Sequence, residues 1–159
     1  MRRLAIDHGE RRVGLALSDE GGTFATPYAT WERGDPSALL TRLAELVASE
    51  GVGEIVVGLP LHLDGREGAS ARRARRFAEL LEQRAGVPVV LWDERLSSAA
   101  AERALREGGV RAKEQKGKLD RVAAALLLSS YLDSRARAGD DLWDASEPSA
   151  ARAERSSER

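Results

Sequence analysis

The 159-residue chain contains no cysteine, and this absence excludes several classes of protein at once. Without cysteine there is no disulfide scaffold, no cysteine-ligated zinc, no iron–sulfur cluster and no thiol nucleophile, which fits a reducing compartment. The chain also lacks an apolar run of about 18 residues, the length that spans a bilayer. Its first residues lead directly into a strand-like segment, without the apolar core of a signal peptide. We therefore expect a soluble, cytoplasmic protein.

Aromatic residues are also scarce, at three Trp, two Tyr and two Phe, so the core must be mostly aliphatic. Hydrophobic residues at 42% and charged residues at 32% are typical of one globular domain. The net charge of −1 is unevenly divided: residues 139–159 carry six acidic and three basic side chains, a net of −3, which leaves +2 elsewhere. We predict a folded domain over residues 1–138 and a disordered acidic tail over residues 139–159.

The spacing of apolar residues predicts an α/β fold. Residues 3–8 and 12–18 flank a turn and predict a β-hairpin, and a third strand should pass through Trp31. Two further strands, at 54–59 and 87–92, are continuously apolar, as expected for strands buried on both faces. The predicted helices run from the Asp35 cap to Gly51, from about Gly68 to Ala85, from Ser97 or Ser98 to about Glu107, and over 119–137 after a polar loop at 108–118. The order β-β-β-α-β-α-β-α predicts a mixed five-stranded sheet with helices on both faces.

Three acidic positions lie at the ends of elements that should pack centrally. Asp7 ends the first strand, Asp93 and Glu94 follow the strand at 87–92, and Asp120 begins the last helix. Taken singly, each is explained by a turn or by the preference of helix N-termini for negative charge. The strand order, however, can bring Asp7, Glu94 and Asp120 together, and three such carboxylates would repel one another without a divalent cation. Their hard oxygens suit Mg²⁺ or Mn²⁺, and such a centre can activate water against a phosphodiester.

Four segments of the chain carry a family resemblance: Leu4–Asp19, Val57–Gly65, Trp92–Ser98 and Lys116–Ala125. In this order they resemble the YqgF/RuvX family, RNase H-like proteins described as Holliday-junction resolvases and pre-16S rRNA nucleases. The likeness extends over nearly all of residues 3–135. It implies an RNase H-like fold and a metal-dependent nuclease in which Asp7, Glu94 and Asp120 are the catalytic and metal-binding residues. It also implies a role in ribosome biogenesis, with processing of the 5′ end of pre-16S rRNA as the first expectation.

Two positions depart from the family pattern. His62-Leu63 stands where the family usually has Asn-Met, so contacts with the substrate should differ there. Gly117 stands where RNase H-like resolvases outside this family often carry a further acid or His. A complete two-metal site would therefore need an additional oxygen from Asp93 or from a substrate phosphate.

Basic residues cluster on both sides of the three acids and are candidates for holding a nucleic-acid backbone. A charge run is more often a solvated helix face, but a carboxylate–metal centre needs phosphates held nearby. The predicted phosphate contacts are Arg11, Arg12, Arg66, Arg72, Arg73, Arg76, Lys116, Lys118 and Arg121.

Alternative functions remain open at this point. The chain could be a Holliday junction resolvase acting on branched DNA, which requires a symmetric dimer, or a non-catalytic nucleic-acid-binding module associated with ribosomal precursor particles. Phosphotransfer is disfavoured, because Gly9 and Gly14 have the spacing of a Walker loop but Leu15-Ala16 replaces its Lys-Ser/Thr. We expect a nucleic-acid partner, RNA before DNA, no membrane partner, and a monomer or homodimer.

Overall fold

The computed structural model describes residues 1–97 and 112–146, with side chains described for 1–97 and 118–138. In these ranges the strands form one mixed sheet in the order β3-β2-β1-β4-β5. They are β1 (Arg2–His8), β2 (Arg12–Ser18), β3 (Ala25–Glu32), β4 (Val52–Leu59) and β5 (Val89–Asp93). The first three strands form an antiparallel meander, and β4 and β5 run parallel to β1. The predicted five-stranded α/β architecture is confirmed.

The helices of the described residues are α1 (Pro36–Glu50), α2 (Ala69–Ala85) and α3 (Ala112–Ser146), with a 3₁₀ turn at Glu94–Leu96. The predicted start of α1 is confirmed: the Asp35 carboxylate accepts a hydrogen bond from the Ala38 amide at 2.9 Å, and Pro36 opens the helix. Gly51 ends α1 in the left-handed region, with φ 65°, and its amide donates to the Val47 carbonyl.

The two faces of the sheet are covered by different helices, as predicted. Leu4 and Ile6 of β1 are fully buried in the core under α1 and α2, which includes Phe77. The alternate residue Ala5 packs on the opposite face against α3, around Ala124. Because side chains alternate along a strand, Asp7 falls on the α3 face and His8 on the face of α1 and α2. These two residues therefore begin two different surfaces at the same end of β1.

The last helix differs from the prediction at both ends. It begins at Ala112, inside the expected loop at 108–118, and continues to Ser146, past the expected end of the domain at residue 138. The polarity of residues 112–118 suggested a loop, but Lys, Glu, Gln and Ala are good helix formers that need no burial. The predicted helix between Ser97 or Ser98 and Glu107 lies outside the described residues, as do residues 147–159. The helix and the disordered tail therefore stay predictions. None of the described helices is long and apolar enough to cross a membrane.

Candidate active site

The predicted acids meet at one edge of the sheet, where the parallel strands β1, β4 and β5 all end. Asp7 is the penultimate residue of β1, and Glu94 directly follows β5. The third turn of α3 brings Asp120 to the same place, so that all three side chains line one cavity of about 250 Å³. The apolar side chains of α3 form its other wall: Leu119, Ala123 and Leu127. Ligand sites of α/β sheets commonly lie at this edge.

A glycine beside Asp7 explains how Asp120 comes so close to the sheet. Asp7 pairs across the antiparallel ladder with Gly14 of β2. A Cβ atom at Gly14 would overlap the carbonyl oxygen of Asp120, so any larger residue would push α3 away. Gly14 thus allows the helix backbone to rest directly on β2, one strand from Asp7.

A second glycine makes room for Glu94. Gly58 follows Val57, which pairs with Ile6 of β1, so Gly58 lies beside Asp7 on the other neighbouring strand. A Cβ atom at Gly58 would lie 2.5 Å from Glu94 Oε1 and 2.8 Å from its Cγ. The Glu94 side chain therefore occupies the space that a side chain at position 58 would fill, and from there it reaches Asp7.

The Asp7 and Glu94 carboxyl groups line the same two cavities and lie close enough to influence each other's ionisation. Burial, with the nearby charge of Asp7 as a second cause, raises the pKa of Glu94 to about 8. Burial also raises the pKa of Asp7, and the charge of Asp120 acts in the same direction. Because burial disfavours the charged forms of both carboxyl groups, a cation bound between them would stabilise their ionised forms.

Asp120 lines the same cavity as this pair, but its carboxylate is bonded to Arg12. Its Oδ2 accepts a hydrogen bond from Arg12 Nε at 2.9 Å. Among the residues that the structure describes, no three His, Asp or Glu side chains converge closely enough to hold a metal ion as they stand. The structure thus places all three predicted acids around one cavity, with Asp120 held by Arg12.

Asp93, considered above as an additional oxygen ligand, has a different partner. Its Oδ2 accepts from Arg95 Nη2 at 2.7 Å and from Arg95 Nε at 2.9 Å. These hydrogen bonds lower the pKa of Asp93 and keep it ionised. The Asp93 carboxylate also caps the 3₁₀ turn through the Arg95 amide. Its roles are therefore to neutralise Arg95 and to orient the turn that begins with Glu94.

Residues 1–134 match the family model described as "RuvX: Holliday junction resolvase". The chain belongs to the RuvX family. A relative from Maridesulfovibrio salexigens is 46% identical over 132 residues, covering 83% of this chain and 98% of the relative. One from Anaeromyxobacter sp. strain Fw109-5 is 48% identical over 135 residues, covering 85% and 98%. Both carry the name "Putative pre-16S rRNA nuclease".

Solved structures support the same fold. RuvC of T. thermophilus, in complex with a Holliday junction substrate, matches with a TM-score of 0.55 at 19% identity, covering 87% of this chain and 97% of RuvC. The fowlpox virus resolvase in complex with Holliday junction DNA matches with a TM-score of 0.52 at 10% identity, covering 84% and 98%. At these identities the likeness shows the fold alone, which is RNase H-like. The predicted family and fold are confirmed. RuvX proteins are nucleases, so the chain is a hydrolase of phosphodiester bonds and its substrate is nucleic acid.

Two of the predicted basic residues of this RuvX chain lie beside the acids. Arg12 holds Asp120, as described above, and Arg73 of α2 lines a second cavity of about 200 Å³ on the other side of Asp7 and Glu94. Arg73 is half exposed; its Nη2 donates to Ser70 Oγ at 3.1 Å and lies 3.7 Å from Oε1 of the exposed Glu10. Both arginines can therefore reach a phosphate near the acids.

The remaining predicted basic residues either do not line the two cavities beside the acids or lie outside the described side chains. Arg11, Arg72, Arg76 and Lys118 are exposed, and Arg121 is partly exposed. Arg66 is 81% exposed and pairs with Asp64 at 2.6 Å. The side chain of Lys116 lies outside the described residues, as does Gly117. Phosphate binding by these residues stays a prediction.

Sequence reasoning missed Arg33, which lines the same second cavity as Arg73. Arg33 directly follows β3, and its Nη1 donates to the Glu10 carbonyl at 3.2 Å. The predicted meander could have identified Arg33. The third antiparallel strand must end at the same edge of the sheet as the first, so the basic residue that follows it lies near Asp7.

Proposed function

We propose that this chain is a divalent-metal-dependent nuclease that cleaves structured RNA, with Asp7, Glu94 and Asp120 as its catalytic residues. Its cellular substrate is the 5′ end of the 16S rRNA precursor, processed in the cytoplasm on ribosomal precursor particles. The names of the two relatives support this substrate. The observation that carries the proposal is the shared cavity of Asp7, Glu94 and Asp120, three partly buried acids at the carboxyl edge of the sheet.

The residues present fit Mg²⁺ or Mn²⁺. Asp7 and Glu94 offer hard carboxylate oxygens that already share a site with too much negative charge, which a divalent cation would neutralise. These two side chains would hold the ion, and Asp120 would join them once Arg12 released it. Bound there, the metal would supply Lewis-acid activation of water and stabilisation of the leaving oxygen.

The side chains around the acids position the substrate and limit access of water. Arg12 and Arg73 stand on either side of the acids and can each hold a backbone phosphate. The apolar wall of α3, which includes Leu119 and Leu127, excludes bulk water from one side of the cavity. In this drier setting the charge interactions at the acids are stronger than in open solvent.

The family description favours a second candidate, cleavage of a Holliday junction in DNA. That activity needs two active sites acting on opposed strands, and therefore a symmetric dimer. The two candidates share the same acids and differ in substrate and in oligomeric state. A comparison of RNA and junction cleavage, with the mass of the protein measured at the assay concentration, distinguishes them.

The deciding experiment replaces Asp7 with Asn, which removes charge and preserves shape. Labelled RNA spanning the 5′ end of the 16S precursor and a labelled four-way DNA junction are incubated with Mg²⁺, Mn²⁺ or EDTA. We expect metal-dependent cleavage by the wild type and a loss of about 10³-fold in Asp7→Asn, because a lost metal ligand removes several kcal/mol of transition-state stabilisation. Asp133→Asn, at an exposed position of α3, is the matched control and should cleave normally. Wild-type rates in a folded Asp7→Asn protein would refute the assignment.

A further inference from the structure

A small groove lies between α1 and α2, on the opposite face of the sheet from Asp120. Its volume is about 200 Å³ and its lining is mostly apolar, with an arginine rim. The apolar part comes from Pro36, Leu39 and Leu40 of α1 and from Phe77 and Leu80 of α2, and the rim from Arg33, Arg73 and Arg76. No acidic side chain of the described residues lines it. The groove therefore combines an apolar interior with an entrance suited to anions.

One wall of the groove is aromatic and held in place. The rings of His8 and Phe77 stack with their centroids 4.1 Å apart and an angle of 8° between their planes. His8 ends β1 at the sheet edge, directly after Asp7. Phe77 is 8% exposed, so the partly exposed His8 ring is the aromatic surface that can receive another flat ring.

The groove connects to the candidate active site. The second cavity beside the acids is lined by Asp7, Glu94 and Glu10, and also by His8, Arg33 and Arg73. The same His8, Arg33 and Arg73 line the groove. A chain passing over the sheet edge from the acids would thus meet two arginines and then the apolar groove.

We propose that this groove binds one unpaired base of the nucleic-acid substrate, next to the scissile phosphate, while Arg33 and Arg73 hold the phosphate between them. The inference rests on the proposed nuclease function. The groove has room for a flat ring but not for a whole nucleotide, and its arginine rim matches the charge of the backbone at its entrance. Base stacking on aromatic side chains is sequence-tolerant, so the groove selects for an unpaired nucleotide more than for a particular base.

The proposal narrows the substrate class. A base inside a continuous duplex cannot enter the groove without being unstacked and unpaired. The substrate should therefore be single-stranded or splayed at the nucleotide that flanks the cleavage position. A 5′ leader beside a helix and the branch point of a junction both offer such a nucleotide, whereas uninterrupted duplex does not.

The experiment removes one base at a time from the substrate. The cleavage position is first mapped on the RNA with wild-type protein, and a series of RNAs then carries a single abasic nucleotide at each position around it. We expect one flanking position at which base removal lowers kcat/KM by roughly 5- to 100-fold, the range for loss of one stacked base. Binding of the same RNAs to Asp7→Asn protein, measured by fluorescence anisotropy, should show the same position.

Two protein variants test whether the base binds in this groove. Leu80→Glu places a carboxylate at the groove, where Leu80 is 36% exposed. Gln83→Glu adds the same charge one turn later on α2, at an exposed position outside the groove. We expect Leu80→Glu to lose the discrimination between intact and abasic RNA, and Gln83→Glu to retain it.

The outcomes separate this inference from the function on which it rests. If the wild type cleaves the RNA and no abasic position matters, or if both variants discriminate equally, the groove does not bind a base and the nuclease function stands. If the wild type cleaves neither RNA nor junction DNA, the proposed function is overturned, and this inference with it.

Discussion

Gly58→Ala should abolish most activity while leaving the fold intact. The added Cβ would lie 2.5 Å from Glu94 Oε1 and 2.8 Å from Glu94 Cγ, whereas ordinary contacts begin near 3.4 Å. The Glu94 carboxylate must therefore move by about 1 Å or change rotamer, and both responses take it away from Asp7. Misplacement of a catalytic group by about 1 Å can cost about 100-fold in rate. We expect kcat/KM to fall by about that factor.

Stability should change little in the same variant. The atoms that collide belong to a flexible side chain beside a cavity, so the clash can be relieved without moving the backbone. Replacing Gly by Ala in a strand also reduces the entropy of the unfolded chain, worth about 0.4–1 kcal/mol where the backbone tolerates it. We expect the melting temperature to stay within roughly 3 °C of the wild type, as 1 kcal/mol corresponds to about 2–4 °C in a chain of this size.

Gly53→Ala is the matched control for this prediction. Gly53 lies on the same strand, and its Cβ would approach the flexible Met1 side chain, with Cγ at 2.7 Å, far from the acids. Cleavage of labelled RNA and thermal melting are measured for wild type and both variants. Near-wild-type activity in a folded Gly58→Ala protein would show that the position of Glu94 is irrelevant to turnover. Equal losses in both variants would show that β4 is simply intolerant of Ala.

Two further predictions concern the charges at the site. Burial and the charge of Asp7 raise the pKa of Glu94 from 4.5 to about 8, so between these pH values the folded state binds more protons than the unfolded state and loses stability as pH rises. Metal-free Glu94→Gln should therefore melt several degrees above wild type at pH 8 and at the same temperature as wild type at pH 4. Equal melting temperatures at pH 8 would contradict this. Arg12→Gln should lower the salt slope of RNA binding by about one unit if Arg12 contacts a phosphate, and an unchanged slope would leave it as a partner of Asp120 alone.

Much of the fold was predictable because local patterns and packing agree. The hairpin, the Asp35 cap and the apolar strands each have a strong sequence signal, and the structure adds tertiary contacts that reinforce them. The start of α3 was not predictable from polarity, because residues 112–118 can be helical without burying apolar surface. Polar composition distinguishes exposed from buried segments better than it distinguishes helix from loop.

The candidate site, like the fold, was predictable from the sequence only in part. The shared cavity of Asp7, Glu94 and Asp120 follows from strand order, which a sequence pattern can give. The close approaches at Gly14 and Gly58 depend on which strands are neighbours and on which atoms face them. In a sequence, a glycine within a strand indicates only that something approaches closely or that a bulge is present. The approaching group becomes known only with the structure.

The Arg12–Asp120 ion pair bears on how the site is completed. Its side chains are 31% and 23% exposed, so the pair is accessible to a group of the substrate. While Arg12 holds Asp120, the third carboxylate is kept from the Asp7–Glu94 pair and the repulsion among the three is reduced. A phosphate offers Arg12 a competing partner of equal charge-assisted strength. Arg12 would then release Asp120 toward the other two acids.

Substrate and divalent cation should therefore strengthen each other's binding, and by linkage the two effects must be equal. In Arg12→Gln the coupling should disappear: Mg²⁺ affinity measured with and without RNA would be the same. Persistent coupling in that variant would show that Arg12 does not link the two.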